Sequence, residues 1–272
     1  LLLKSIFDKG FIYRGLRPVN WCFDCKSALA EAEVEYHNKV DSAIEVLFEC
    51  DERNSQKIEK IFNLKKISHN GGVVIWTTTP WTLPANQALN VNPNADYAFI
   101  KIENNKIFEW LIIANDLRDV SLTKWKLDGK VLGRVKGSKL KELEFKHPLW
   151  KANDEYKRFS AVIPADYVEM DSGTGIVHAA PAYGLDDFLS CKSNGLSDSK
   201  ILSVVKANGC YLDTLPIFGG LHIWKANDEI IKILDKHKTL ISNIRFNHST
   251  MHCWRHKTPI IFRATHQWFI SM

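Results

Sequence analysis

The chain has 272 residues, 45% hydrophobic and 25% charged, which are ordinary globular values and enough length for about two domains or one large domain with an insertion. This excludes a disordered, collagen-like or low-complexity chain, and no apolar run reaches the roughly 18 residues a membrane-spanning helix needs. A net charge of +5 permits a nucleic-acid partner without demanding one. Six cysteines are too few for a disulfide scaffold. Leu1-Leu2-Leu3 is followed at once by Lys4 and Asp8, too short for a signal-peptide core. A reducing cytoplasm is therefore expected, with the close cysteine pair a metal site rather than a bridge. The chain opens on Leu1 and stops at Ser271-Met272, and reads as an internal piece of a longer polypeptide.

In chain order, residues 1–9 read as the end of a helix stopped by Gly10. Phe11 to Trp21 is extended and leads into Cys22-Phe23-Asp24-Cys25. Glu31 to Tyr36 alternates charged and apolar residues, so a strand is expected despite helix-favouring composition, and Ile44, Val46, Phe48 and Cys50 repeat that alternation. Helical spacing returns over 54–66, with Asn54 or Ser55 as cap. Val73 to Trp76, after Gly71-Gly72, reads as a buried strand. Tyr97 to Ile102 and Ile107 to Ile113 read as a hairpin turning at Asn104-Asn105. Helices are expected at 115–124, 184–194 and 226–238, the last capped by Asn227 with Ile230, Ile231 and Leu234 facing inward. Strands are expected at 159–164, 174–179 and 200–206. Many short strands with few helices and no βαβ rhythm predict an α+β fold with a barrel-like, mostly antiparallel sheet.

Three segments carry chemistry. Trp76-Thr77-Thr78-Thr79-Pro80-Trp81-Thr82-Leu83-Pro84-Ala85-Asn86 packs four threonines, two prolines and two tryptophans into eleven residues. It should sit at a strand's end as a stiff, hydroxyl-lined pocket wall; a β-edge protected by Thr and Pro is the alternative. Asp171 to Phe188 runs through Gly173-Thr174-Gly175 into His178 and then Asp186-Asp187, where a helix should begin. There a carboxylate serves either as a cap favoured by the helix dipole or as a partner for a ligand's ammonium group. Cys22-x-x-Cys25 and Cys253-Trp254-Arg255-His256 are two short-spaced pairs, together three Cys and one His, matching a tetrahedral structural zinc site against the alternative of four unmetallated side chains.

Four blocks, in order, resemble bacterial isoleucyl-tRNA synthetase: Arg17 to Tyr36, with Pro18, Trp21, Cys22, Cys25 and Ala28 to Glu33; Trp76 to Asn86; Gly173 to Asp187; and His252 to Ile261. The valyl and leucyl relatives usually read Thr-Thr-Arg-Pro where this chain has Thr77-Thr78-Thr79-Pro80, and lack a histidine matching His178. In that family the stretch is the editing insertion called connective peptide 1 with its roots in the synthetic Rossmann domain. The implied division is a root segment at 1–36, an editing domain at 37–238 and a return segment at 239–272. No His-x-Gly-His or Lys-Met-Ser-Lys-Ser occurs here, so ATP and Mg would be used elsewhere in the parent enzyme, and the piece alone should not aminoacylate.

The resemblance implies a second sieve that hydrolyses the ester of mischarged Val-tRNA(Ile). Asp187 would hold the α-ammonium group. Thr77, Thr78 and Thr79 would line the pocket and orient the ester or a water. Trp76, Thr82 and Asn86 would bind substrate, the last two touching the terminal adenosine or ribose, and His178 would wall the side-chain pocket. No Ser-His-Asp or Cys-His arrangement is visible, so a positioned water is expected, with positioning and hydrogen bonding carrying the rate. Implied partners are the tRNA(Ile) acceptor end, misactivated valine and the rest of the synthetase, in a cytoplasmic monomer. Ala179, Ala182 and Tyr183 depart from the family's usual His-Thr-Ala-Pro-Gly-His-Gly, so editing is expected to persist with altered efficiency or selectivity. The competing reading is a zinc-stapled module that docks the tRNA acceptor end and has lost its editing activity.

Overall fold

The computed structural model describes residues 2–103 and 105–271. Helix α1 (Leu2–Asp8) precedes strands β1 (Ile12–Cys22), β2 (Ser27–Leu29) and β3 (Val34–Glu49), then helix α2 (Glu52–Phe62). Strands β4 (Gly71–Thr77), β5 (Ala88–Val91), β6 (Asp96–Glu103) and β7 (Trp110–Ala114) lead to helix α3 (Arg118–Trp125). Strands β8 (Asp128–Lys136), β9 (Glu144–Lys146), β10 (Phe159–Pro164) and β11 (Ile176–Ala179) follow. Helices α4 (Leu185–Ser193) and α5 (Ile223–Lys236) and strands β12 (Leu240–Cys253) and β13 (Ile261–Ile270) complete the fold.

The strands form three sheets, ordered β13-β1-β2, β11-β5-β10-β9 and β12-β3-β4-β7-β6-β8. Pairing is antiparallel except for β5 with β10 and β4 with β7. The α+β, mostly antiparallel architecture agrees with the sequence reading, but no sheet among the described residues closes into a barrel. Side chains alternate through the six-stranded sheet. Ile44, Val46, Phe48, Val73 and Ile75 face the main core, shared with β5, β10 and helix α5, whereas Leu47, Val74, Ile100 and Leu111 face a smaller core beside Leu122 and Trp125 of α3. Burial on both faces explains why β4 is a continuous apolar run. From this body β3 and β12 run out as a long ribbon, Ile44 opposite Asn243 through to Val34 opposite Cys253, toward the β13-β1-β2 sheet.

Several expectations are corrected. Helix α2 starts earlier, because Asp51 caps it by accepting from the Asn54 amide at 2.9 Å; Asn54 itself is buried and bonds the Glu144 carbonyl. Helix α5 starts at Ile223 with His222 as cap, which frees the Asn227 side chain for another partner. Only an isolated bridge, Val205 opposite Tyr211, forms at 200–206, since the Val204 and Val205 amides bond the Tyr183 hydroxyl rather than extending it into a strand. Glu31–Glu33 is a 3₁₀ turn and β3 begins only at Val34. The β6–β7 hairpin pairs as expected, Tyr97 opposite Ala114, although β7 starts at Trp110 and Asn104 of the expected turn lies outside the described residues. Leu1 and Met272, part of the readings at the two ends, lie outside them as well. Strands β2, β5, β8, β9, β12 and β13 were not expected, and in β12 the polar content of residues 240–253 hides the period.

Candidate functional site

The Thr-rich segment leaves the end of β4 and turns through a 3₁₀ helix, Pro80–Ala85, with Pro80 in its first turn, where a missing N–H costs nothing. The Thr77 and Thr79 hydroxyls lie 3.2 Å apart, and the Thr79 amide donates to Thr77 Oγ1 at 3.1 Å. The Thr82 hydroxyl donates to the Thr79 carbonyl at 2.8 Å, so its oxygen accepts from His178 Nε2–H at 2.9 Å. His178 Nδ1 then accepts from Asn86 Nδ2 at 3.4 Å. Asn86 also donates to the Ala88 carbonyl at 2.9 Å and accepts from the Ser160 hydroxyl at 2.5 Å. This pattern assigns a neutral, Nε2-protonated imidazole. Burial pushes the His178 pKa down to about 4, and with both ring nitrogens engaged His178 is a positioning group rather than a proton carrier.

The loop is held at its backbone. The Trp81 amide donates to Asn227 Oδ1 at 3.0 Å and the Trp81 carbonyl accepts from the Tyr211 hydroxyl at 2.5 Å. His147 Nε2–H donates to the Leu83 carbonyl at 2.8 Å, while its Nδ1 accepts from the Leu149 amide. The Arg158 guanidinium donates to the Pro84 carbonyl at 2.7 Å and the Asn86 carbonyl at 3.3 Å. A buried turn has no water for these groups, so distant side chains must supply the partners. Of these clamping residues the sequence singled out Asn227 alone, and as a helix cap; each is a single residue far from the loop in the chain.

The second block packs against the first. Gly175 has φ +71°, and a Cβ there would lie 2.3 Å from that of Ala114, so glycine is required. Gly173, also at positive φ, lies against Trp76, whose ring meets Phe246 edge-on at 5.4 Å. Trp76, Tyr167, Ser172 to Val177 and Asp186 border a cleft of about 460 Å³. Thr78 and Thr79 border a different cavity of about 280 Å³ with Trp81, Tyr183, Trp224 and His248. Asp187 sits in the first turn of α4 beside the cleft, with Oδ2 accepting from the Ala180 amide at 2.9 Å and Oδ1 from the Tyr167 hydroxyl at 2.8 Å. Burial raises its pKa, opposed by those two hydrogen bonds and reinforced by Asp186.

The fold thus joins Thr77, Thr79, Thr82, Asn86 and His178 in one network, while Thr78, Trp76 and Asp187 lie outside those bonds. Thr82 and Asn86, 6% and 0% exposed, bond His178 and backbone rather than opening onto either cavity. The departures from the family pattern are structural. Ala179 and Ala182 are fully buried, and their carbonyls accept from the Gln87 and Ala264 amides. The Tyr183 hydroxyl receives two amides at 2.7 and 2.8 Å, and its ring meets Trp81 edge-on.

At the far end of the ribbon, Cys22, Cys25, Cys253 and His256 converge, with all four ligand atoms within 4.8 Å. His256 Nδ1 lies 3.8, 3.3 and 3.7 Å from the three sulfurs of Cys22, Cys25 and Cys253, and the Cys25 and Cys253 sulfurs are 3.9 Å apart. A tetrahedral ion with metal–sulfur bonds of about 2.3 Å places neighbouring ligand atoms about 3.5–3.8 Å apart, so the donor set fits a metal. Each knuckle ends on a left-handed residue, Lys26 at φ 52° and Lys257 at φ 58°. Burial pushes the Cys22 thiol up to about 12; at Cys253 burial acts the same way but is outweighed by hydrogen bonds, chiefly from the His256 amide, which bring it to about 7.

The whole chain, residues 1–272, matches the family described as tRNA synthetases class I (I, L, M and V). It is 49% identical to an isoleucine–tRNA ligase of Bordetella parapertussis over 272 residues, 100% of this chain and 28% of that protein. It is 50% identical to the isoleucine–tRNA ligase of Paraburkholderia xenovorans over 271 residues, again 28% of that protein. The chain therefore spans under a third of the length of these curated relatives. Its fold is similar to the crystal structure of GlLeuRS-CP1, with TM-score 0.57 and 17% identity over 74% of this chain and 99% of that one. It is also similar to the P. knowlesi cytosolic leucyl-tRNA synthetase editing domain, with TM-score 0.54 and 12% identity over 78% of this chain and 97% of that one. Among the described residues no helix is long and apolar enough to cross a membrane.

Proposed function

The chain belongs to the class I tRNA synthetases (I, L, M and V), and from that premise we propose that it is the editing domain of an isoleucyl-tRNA synthetase, hydrolysing the ester of Val-tRNA(Ile). The observation that carries the reading is the neutral His178 clamped between Thr82 and Asn86 beneath the Thr-rich loop. His178 borders neither cavity, and engaged at both nitrogens it fixes from behind the Thr-rich loop that would have to separate valine from isoleucine by one methylene. The Trp76–Tyr167 cleft takes the terminal nucleotide, and Asp187 takes the α-ammonium group of the aminoacyl ester.

In the proposed reaction a water attacks the ester carbonyl. The bond from that carbon to the ribose oxygen breaks, and the ribose hydroxyl leaves with the proton the water gave up. The hydroxyls of Thr77, Thr78 and Thr79 orient ester and water, and His178 stays neutral throughout. Holding the reacting groups in place, with hydrogen bonds to the developing oxyanion, supplies the rate. Zinc at Cys22, Cys25, Cys253 and His256 is structural and ties residues 1–36 to 239–272 around the editing domain at 37–238. The other partners are the tRNA(Ile) acceptor end, valine and the rest of a cytoplasmic, monomeric synthetase that binds ATP and Mg elsewhere.

The test is hydrolysis of Val-tRNA(Ile) beside Ile-tRNA(Ile) by the full-length protein that carries this chain, with Asp187→Ala as control. Valine is expected to be released faster than isoleucine, and Asp187→Ala to abolish release while tRNA binding persists. Binding of tRNA without hydrolysis in the unsubstituted protein identifies a docking module and sinks the editing reading.

A further inference from the structure

Asp187 is a half-buried carboxylate with two direct hydrogen-bond donors among the described residues, one of them a side chain: the hydroxyl of Tyr167, at 2.8 Å from Oδ1. That hydroxyl is itself organised from behind. Asn90, fully buried on β5, donates one amide hydrogen to the Tyr167 oxygen at 2.7 Å and another to the Ser190 oxygen at 2.8 Å. Both hydroxyls are thereby made acceptors toward Asn90, and each turns its own proton to Asp187: Tyr167 to the carboxylate, Ser190 to the Asp187 backbone carbonyl at 3.1 Å. The cost is an orphan, because the carbonyl oxygen of the Asn90 side chain is buried without a partner. Rotating the amide would satisfy that oxygen only by drawing both hydroxyl protons away from Asp187. That rotation would also bring the amide NH2 to the position where the oxygen has no partner, so the present orientation, with one unpaired oxygen and both hydroxyl protons turned to Asp187, is the less costly one.

We infer that Asn90 and Tyr167 are positioning residues that hold Asp187 ionised and aimed for the ammonium group of the aminoacyl ester. The inference rests on the editing reading of Asp187 and adds two residues to it. Burial and the charge on Asp187 keep the Tyr167 phenol far above its ordinary range, so it stays a donor at every working pH. Besides Asp187, α4 itself carries Asp186, which disfavours ionisation of Asp187, and Lys192 in its last turn, which is paired with Asp198 at 2.6 Å; the Cys191 thiol acts on Tyr167. Of the strands packed against α4, β5 and β10 carry no ionisable side chain, β11 carries the neutral His178, and β1 carries Tyr13, Arg14, Arg17 and Cys22. The hydrogen bond from Tyr167 is thus the one side-chain contact on Asp187 that favours its charged form.

The experiment is the pH profile of kcat/KM for Val-tRNA(Ile) hydrolysis by the full-length protein, between pH 5.5 and 8.5. Removing a donor to a carboxylate raises its pKa. Tyr167→Phe is therefore expected to move the acidic limb up by about one unit, so that its deficit relative to the unsubstituted protein grows as pH falls, toward about tenfold below both limbs. Asn90→Ser, which shortens the relay without introducing bulk, should move the limb the same way by less. An unmoved limb, or an equal loss at every pH, overturns the inference, since a merely structural role lowers activity without shifting the profile. Asp187→Asn separates the two layers. If it abolishes hydrolysis while Tyr167→Phe leaves the limb in place, the editing reading stands and the positioning role falls. If Asp187→Asn hydrolyses normally, both fall.

Discussion

The two ends of the ribbon solve one problem, holding a short irregular turn in place, by different physics. At the knuckle end the cysteines pack within a small apolar cluster of Cys22, Cys253 and Ile260, fringed by Leu29, Val34 and Met251. Four side chains there, drawn from positions 234 residues apart, converge on a metal-sized gap. At the other end Pro80–Ala85 lies inside the main core, and its backbone atoms are taken one by one by Asn227, Tyr211, His147 and Arg158. A turn with only a small apolar cluster behind it presents the ligand set of an ion, whereas a turn within the main core is held by donors and acceptors. With a metal bound, the first kind would fail all at once when the ion leaves; the second loses increments.

The largest effect should therefore come from chelation. Structural zinc sites hold apparent binding free energies on the order of 10 kcal/mol that are also folding free energy. Removing the metal, or Cys25→Ser, is expected to raise hydrogen exchange sharply over the Cys22–Cys25 and Cys253–His256 turns while Pro80–Ala85 stays protected. Metal analysis showing well under one zinc per chain, or exchange that rises equally at both ends, would break the comparison.

Arg158→Met comes next. It leaves the Pro84 and Asn86 carbonyls without their donor, and each unpaired buried carbonyl costs about 1–3 kcal/mol. A loss of about 3 kcal/mol in chemical denaturation is expected, together with weaker discrimination between Val-tRNA(Ile) and Ile-tRNA(Ile). Arg158→Lys, with one compact donor group, should recover part of the stability. A loss below about 1 kcal/mol would mean that water replaces the guanidinium and that the loop is not clamped as described.

What was legible in the sequence follows the same division. Ligand pairs spaced by two residues are local, so Cys22/Cys25 and Cys253/His256 were readable, and the structure brings them together. Gly173-Thr174-Gly175 and the strand before the threonines were readable for the same reason, and α4 begins just ahead of Asp186-Asp187. The clamp was not. His147, Arg158 and Tyr211, which clamp the loop, and Ser160, which bonds Asn86, sit among unremarkable neighbours, and their roles appear only when distant segments are folded against the loop. The strand expected at 200–206 shrinks to one bridge for a similar reason, because a single distant hydroxyl on Tyr183 takes the Val204 and Val205 amides. Local spacing reports groups that act through their chain neighbours; it is silent about side chains recruited one at a time.

The smallest effect, and the one that most sharpens the contrast, belongs to His178. It is 6% exposed, and burial lowers its pKa to about 4 from an ordinary 6.5. Above pH 6.5 the imidazole is neutral in both folded and unfolded chains and contributes no pH dependence. As pH falls from 6.5 toward 4 the unfolded chain takes up a proton that the folded chain refuses, so stability declines with acidification. For this one group the decline reaches about 2 kcal/mol at pH 5. His147, also pushed down by burial, adds its own share, so the informative quantity is the difference between the protein and a variant. His178→Gln keeps an amide able to donate toward Thr82 and accept toward Asn86, and it cannot titrate. Denaturant titrations at pH 7 and pH 5 should show the variant losing about 2 kcal/mol less than the unsubstituted protein over that interval. Equal losses would mean that His178 is protonated in the fold, which would cost it the acceptor role toward Asn86 and make the loop a network that charges rather than a fixed wall.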